Sequence, residues 1–235
     1  MTIFGWDASN YDWDRGPMDF AVAKADGITF FTHKLTEMGT EGTYVHRFGD
    51  AAVRAHQAGF KYIGAYVVPR SGVSVVAQTN KAIQEADRQW PAWRSFPGFF
   101  WQVDSENWGY DFPPLSVGTE MCRLFEMATG KKAVHYASVG HYGPAWNQPY
   151  PRWNPNYYLW QRVGHYRSLY TQSGGDTGPG WTGSARIWQY SDSAIIGRQG
   201  TCDANAFKGT EEDFARMIGA TSVSTTDDFV SHYLQ

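Results

Sequence analysis

The sequence is poor in the features that mark several large protein classes. Only two cysteines, Cys122 and Cys202, occur in 235 residues. They lack the spacing of a zinc site and are too few for a disulfide-stapled domain, so they read as buried thiols rather than a bridge. No apolar run approaches the roughly 18 residues a membrane span needs, and no membrane insertion is expected. Met1 to Asp7 lacks the basic and apolar regions of a secretory signal peptide. Charge is nearly balanced, with 20 basic and 23 acidic side chains and a net charge of −3. Without a Lys/Arg cluster, nucleic acid is not expected as a partner, since its binding rests on neutralising phosphates. There is no glycine-rich phosphate loop ahead of a helix and no Gly-x-Ser-x-Gly nucleophile elbow. His135, His141 and His165 belong to no His-Glu-x-x-His helix, and no Cys pair completes a zinc set. Neither a metal nor a cofactor is expected.

What the chain has in excess is aromatic residues: 11 Trp, 14 Tyr and 14 Phe, or 17% of the sequence. A hydrophobic share of 42% marks a folded chain long enough to bury a core without disulfides. Short apolar runs of strand length at 3–9, 28–34, 62–68, 99–103 and 133–137 alternate with helical patterns at 17–25, 50–58, 74–90 and 116–129. Beyond residue 137 the rhythm changes. Segments 157–160 and 186–190 are strand-like, but 173–183 is rich in Gly, Pro and Thr and has no helical period. Thr210 followed by Glu211, Glu212 and Asp213 reads as the cap and acidic first turn of a final helix ending near Ile218. Strand–helix alternation implies an α/β fold with a parallel sheet covered by helices. With eight possible strands, we expect a single domain built as an irregular or incomplete TIM-like β/α barrel. It spans residues 1–219, with 220–235 a polar tail or the start of a linker.

The segment Gly98 to Trp108 is the most informative. Side chains alternate along a strand, so Phe99, Trp101 and Val103 share one face and Phe100, Gln102, Asp104 and Glu106 the other. In a barrel the first set packs under helices. The second points inward, and its acids come last, at the C-terminal mouth where such barrels carry their chemistry. Two acids two residues apart have Cα atoms about 6.6 Å apart. Between aromatic walls they should not titrate independently, which suits one to give a proton and the other to stay ionised. Glycoside hydrolysis needs that arrangement, although an isolated Asp-x-Glu more often simply begins a loop. Asp7 ends the first strand and would share the rim. Asp203 follows the strand-like Ile187 to Tyr190, and ordinary turn chemistry is its alternative.

The order of these pieces resembles glycoside hydrolase family 25, the Chalaropsis-type lysozymes or N-acetylmuramidases common in phage lysins. The matching pieces are Gly5-x-Asp7-x-Ser9, Lys34-Leu-Thr-Glu37, Gly64-Ala-Tyr66, Asp104-Ser-Glu106, Tyr136, Leu159-Trp160, and Trp188-Gln-Tyr190 with Asp203-Ala-Asn205. They span residues 3–209. The resemblance implies an irregular barrel that hydrolyses the β-1,4 bond between N-acetylmuramic acid and N-acetylglucosamine in peptidoglycan, with retention. It implies Glu106 as general acid/base and Asp104 as the group that orients the 2-acetamido group, should that group be the internal nucleophile. Asp7 and Asp203 match the other cleft acids. Two departures touch the rim. Val67-Val68 follow Gly-Ala-Tyr where the family usually has a ring, and the segment from Met38 to Tyr44 is longer than the family's.

Sugar rings stack their C–H faces on aromatics, so Tyr66, Tyr136, Trp160 and Trp188 are the candidate substrate contacts. Lys34 is a further candidate, either for substrate or for pairing with a cleft acid. Tyr157, Tyr158 and Trp146 fit core packing better than the cleft. The expected partner is the peptidoglycan glycan strand, met by a monomer. Without a signal peptide, the enzyme would reach the wall through a phage holin or on a virion. Two rival readings stay open, a non-catalytic wall-binding domain on the same fold and a barrel hydrolase of another N-acetylated glycan such as chitin.

Overall fold

Alternation along each strand decides what the molecule buries on its two sides. The computed structural model describes residues 1–16, 18–37, 46–107, 109 and 111–220. In chain order the elements begin with β1 (Thr2–Ala8), α1 (Asn10–Arg15), α2 (Phe20–Ala25), β2 (Ile28–Glu37), α3 (Phe48–Gln57) and β3 (Tyr62–Val68). They continue with α4 (Val75–Gln89), β4 (Phe99–Asp104), α5 (Leu115–Thr129), β5 (Ala133–Tyr136), α6 (Val139–Tyr142) and β6 (Arg152–Pro155). The last are β7 (Gly164–His165), α7 (Tyr166–Gln172), β8 (Ala185–Ile196), β9 (Gln199–Lys208) and α8 (Glu211–Met217).

The sheet order is β6-β5-β4-β3-β2-β1-β9-β8, and β8 pairs back onto β6, which closes an eight-stranded barrel. β7 adds to the far end of β8. From β1 to β6 every pairing is parallel, as the alternation predicts. β9, however, runs antiparallel to both β1 and β8, so the sheet is mixed rather than parallel throughout. That hairpin turns at Gly197–Arg198 and needs no crossover helix, whereas the parallel β6–β8 connection carries α7 and then segment 173–183, which has no α-helix. Two short 3-10 turns, Gly175–Thr177 and Pro179–Trp181, stand there instead.

Strand β4 has the two faces its sequence dictates. Outward, Trp101 stacks on Phe125 of α5 at 4.1 Å between ring centres, and Trp93 packs edge-on to Trp101 at 5.2 Å. Inward, Phe100 joins Phe30, Phe207 and Ile187 in a second, interior cluster. Gly5 makes room there, since a Cβ at that position would lie 2.1 Å from the Phe30 ring. α8 plugs the N-terminal end of the barrel: Phe214 stacks on Phe30 at 4.6 Å and meets Phe207 edge-on at 5.2 Å. Its start is held by a capping box between Thr210 and Asp213. With one end sealed by apolar rings, the polar interior positions collect at the other.

Several expectations change. Residues 157–160 form a turn, not a strand; Arg152–Pro155 is the strand paired with β5 and β8. The helix expected from Pro17 starts at Phe20, capped by the Asp19 carboxylate, and Pro17 itself lies outside the described residues. So do the Met38–Tyr44 segment and the expected tail beyond Ala220. Both cysteines are buried free thiols. No described helix is long and apolar enough to cross a membrane.

Candidate active site

The open end of the barrel gathers acids from three strands. Asp7 ends β1, and Asp203 lies directly opposite it in the antiparallel register with β9. Because β9 runs the other way, a residue near its start reaches the same rim as the last residues of the parallel strands. Asp104 closes β4 in register with Tyr136 of β5. Glu106 follows two residues on, half-buried, while Asp104 is buried.

A polar network ties the acids together beneath the mouth. Asp7 Oδ2 accepts from Asn205 Nδ2 at 2.6 Å and from Gln189 Nε2 at 2.8 Å. Asn205 Oδ1 accepts from the Trp153 indole at 2.9 Å. Gln189 Oε1 faces two phenols, Tyr136 at 2.7 Å and Tyr157. The Tyr136 hydroxyl also lies 3.0 Å from Glu106 Oε1. Burial pushes the Asp7 carboxyl up to about 7 despite the two amide donors, with the charges of Asp12 and Glu106 adding to the shift. Burial, then the charge of Asp7, holds Asp203 well above the ordinary carboxylate range. Asp7 and Asp203 thus compete for a proton across the β1–β9 pair. Burial and the neighbouring acids also raise the phenols of Tyr66, Tyr136 and Tyr157, which stay protonated donors.

The Asp104–Glu106 turn is anchored from behind. Ser105 donates its N–H to the Tyr136 carbonyl at 2.9 Å, and its hydroxyl lies 2.8 Å from His135 Nε2. Gly118 of α5 permits this contact, since a Cβ there would stand 2.2 Å from His135 Nε2 and 2.6 Å from Ser105 Oγ.

In three solved structures the same architecture recurs. A family GH25 lysozyme from Aspergillus fumigatus superposes with a TM-score of 0.64 at 19% identity, covering 93% of this chain and 100% of its own. A family 25 glycosyl hydrolase from Bacillus anthracis gives 0.65 at 20% identity, covering 92% of this chain and 93% of its own. A muramidase from Acremonium alcalophilum gives 0.62 at 23% identity, covering 92% and 98% respectively. The fold is that of the family 25 lysozymes. No family model matches the sequence, and no curated protein does.

On this lysozyme-type barrel, Asp7, Asp104, Glu106, Asp203, Tyr66 and Tyr136 converge on one mouth. Trp160 sits on the rim, 63% exposed, with its ring 5.7 Å from Tyr157. Trp188 does not belong to the site. It is fully buried on the outer face of β8, packed between Tyr170 and Trp181. Strand parity gives the reason: Ile187 and Gln189 point inward, so the residue between them points out. Lys34 is also buried. It pairs with Glu37 of its own strand at 2.9 Å, and Glu37 in turn meets Arg70 at 2.6 Å. Its ammonium stands 5.8 Å from the Tyr66 ring, so it supports the wall behind that tyrosine.

Sequence reasoning assigned no role to Gln189 and Asn205, although both stand inside motifs it singled out. It set Tyr157 aside as packing, whereas the phenol bonds Gln189 beneath the mouth. It also missed Asp12, a buried acid that caps α1 through the Ser9 N–H at 2.7 Å and that burial pushes to about 6. Trp146 lies elsewhere, against His135 and Arg152. Among the described residues no group of three or more His, Cys, Asp or Glu is arranged to hold a metal ion. His135 meets Ser105, His165 meets Asp26 at 3.0 Å, and His141 stacks on Phe112 at 3.7 Å.

Proposed function

We propose that the protein is a family 25 glycoside hydrolase, a lysozyme of the N-acetylmuramidase type. It cleaves the β-1,4 bond between N-acetylmuramic acid and N-acetylglucosamine in bacterial peptidoglycan. The observation that carries this reading is the convergence of Asp7, Asp104, Glu106 and Asp203 on the open end of a barrel whose other end is plugged.

In this reading the Glu106 carboxyl protonates the departing glycosidic oxygen as the C–O bond breaks. Asp104 accepts the 2-acetamido N–H and turns that group's carbonyl oxygen onto the anomeric carbon, which balances the growing positive charge. Water then attacks the same carbon from the side the leaving group vacated, and the bond from that carbon to the acetamido oxygen breaks, restoring the 2-acetamido group. Glu106, now a carboxylate, takes the water's proton, and the configuration is retained. Burial and mutual charge raise both Asp7 and Asp203, which suits the pair to present a donor and an acceptor to the sugar. Trp160 and Tyr157 offer ring faces along the rim. The four cleft acids together favour an enzyme over a wall-binding module. Release through a phage holin or carriage on a virion is the route to the wall that this function would require in a lysin.

Muropeptide mass analysis after digestion of purified peptidoglycan tests the reading. New reducing ends on muramic acid are expected. Ends on glucosamine, or none at all, would overturn it.

A further inference from the structure

The acid/base cycle proposed above uses Glu106 once with a proton and once without, and the phenol beside it has a single hydrogen to give. The Tyr136 hydroxyl stands between two acceptors, Glu106 Oε1 at 3.0 Å and Gln189 Oε1 at 2.7 Å. The second acceptor is fixed by a polarity that runs through the barrel floor. The Trp153 indole can only donate, so Asn205 turns its oxygen to Trp153 and its amide nitrogen to Asp7 Oδ2. Asp7 Oδ2 is therefore an acceptor, and the second amide on it must present nitrogen, which is Gln189 Nε2. That commits Gln189 Oε1 to the phenols, where Tyr157 also donates. Trp153 and Asn205 are fully buried and Gln189 nearly so, so water does not reset any link.

We infer that Gln189 is a positioning residue for the acid/base step: a fixed second acceptor that takes the Tyr136 hydrogen while Glu106 is protonated and yields it when Glu106 ionises. This rests on Glu106 having the role proposed above. A carbonyl oxygen has two lone pairs, so it receives both phenols in one state and Tyr157 alone in the other. The swing of Tyr136 thus leaves no buried acceptor empty. The titratable groups that face Glu106 here are Asp104, Asp7, Asp203, Tyr142, Tyr136 and Tyr157. Of these, only Tyr136 changes acceptor in the swing, while Tyr157 stays on Gln189.

The test follows the Glu106 carboxyl by carbon NMR against pH in protein labelled at glutamate, the signal identified by its loss in Glu106→Gln. In Tyr157→Phe the Gln189 oxygen loses its standing donor and claims the Tyr136 hydrogen. Glu106 then keeps its proton to a pH about one unit higher than in the wild type. In Gln189→Leu the competing acceptor is gone, Tyr136 serves the Glu106 carboxylate alone, and titration moves about one unit lower. Gln189→Met replaces it if the leucine variant does not fold. Asn205→Ala also strips a donor from Asp7 but leaves Tyr136 untouched, and its effect on Glu106 should be clearly smaller. The alkaline limb of the hydrolysis pH profile should move in the same directions. Shifts of one sign in both variants, no shift, or a Gln189 effect no larger than that of Asn205→Ala would overturn the inference. The titration needs no turnover, so a wild type inactive on peptidoglycan would refute the proposed function and leave this measurement readable.

Discussion

Asp7→Asn is expected to make the protein more stable at pH 8 while turnover falls. Asp7 is 4% exposed, and burial is the main cause that lifts its carboxyl from 3.8 to about 7. A group raised in the folded state contributes stability that is fully present below its unfolded value, near pH 4, and lost as pH climbs through 7. The difference of about three units corresponds to roughly 4 kcal/mol of folded-state penalty once the charge is forced on at pH 8. Asparagine keeps an oxygen for the Asn205 and Gln189 amides and removes the charge. It also sets an amide N–H where the other carboxyl oxygen was, and leaving that donor unsatisfied costs about 1–3 kcal/mol. The net gain at pH 8 is therefore on the order of 1–3 kcal/mol, or roughly 2–12 °C in Tm for a domain of this size. At pH 4 the wild-type carboxyl is already protonated in the folded state, so the gain should disappear and reverse to a loss of up to about 1–3 kcal/mol. Thermal melts followed by circular dichroism at the two pH values decide the matter. A Tm difference independent of pH, or a variant less stable at pH 8, would refute the claim that a buried negative charge is what Asp7 costs the fold.

Glu106→Gln should abolish nearly all release of reducing ends while sedimentation with insoluble peptidoglycan is retained; a variant with normal turnover would remove Glu106 from its role. Asp104→Asn should lose most of its rate with little change in Tm. Trp160→Ala, at an exposed rim position, should raise KM with kcat largely kept, whereas Trp188→Ala should lower stability by about 3–5 kcal/mol as a core truncation, read by denaturant unfolding. Gly118→Ala should reduce kcat more than it changes KM, because its methyl displaces His135 and Ser105 and with them the turn that carries Glu106. Unchanged kcat in that variant would make the contact incidental.

The parallel half of the barrel was legible because its strands are short, apolar and bounded by clear turn signals. β3 falls on the expected residues, and β4 shows both its faces in its alternation. The β8–β9 hairpin was legible only in part. Ser191, Asp192, Ser193, Thr201 and Asp203 interrupt the apolar pattern, since this hairpin supplies the polar lining of the mouth. Tyr157 to Trp160 carries strand-forming residues but forms the rim turn, with Gln161 at a φ of +56°. The outward position of Trp188 was within reach of parity. The reasoning that sent Trp101 outward from β4 sends Trp188 outward from β8 once Gln189 is taken as interior.

The antiparallel closure explains why the acids can be buried together. In an all-parallel barrel each strand offers its mouth only its last residues, on a loop leading to a helix. β9 enters at the mouth and is laddered to its neighbours from the start, so Asp203 is clamped opposite Asp7 by backbone pairing rather than held on a loop. Two residues further in, Asn205 lies on the same face and reaches both Asp7 and Trp153. Gln189 is its register partner on β8 and completes the set. A one-residue slip of β9 would turn Asp203 and Asn205 outward and bring apolar side chains into the mouth. The inner ring of Phe30, Phe100, Phe207 and Phe214 opposes such a slip, because Phe207 would leave the plug with them. The aromatic load of the chain thus fixes the register that lets four acids share one mouth.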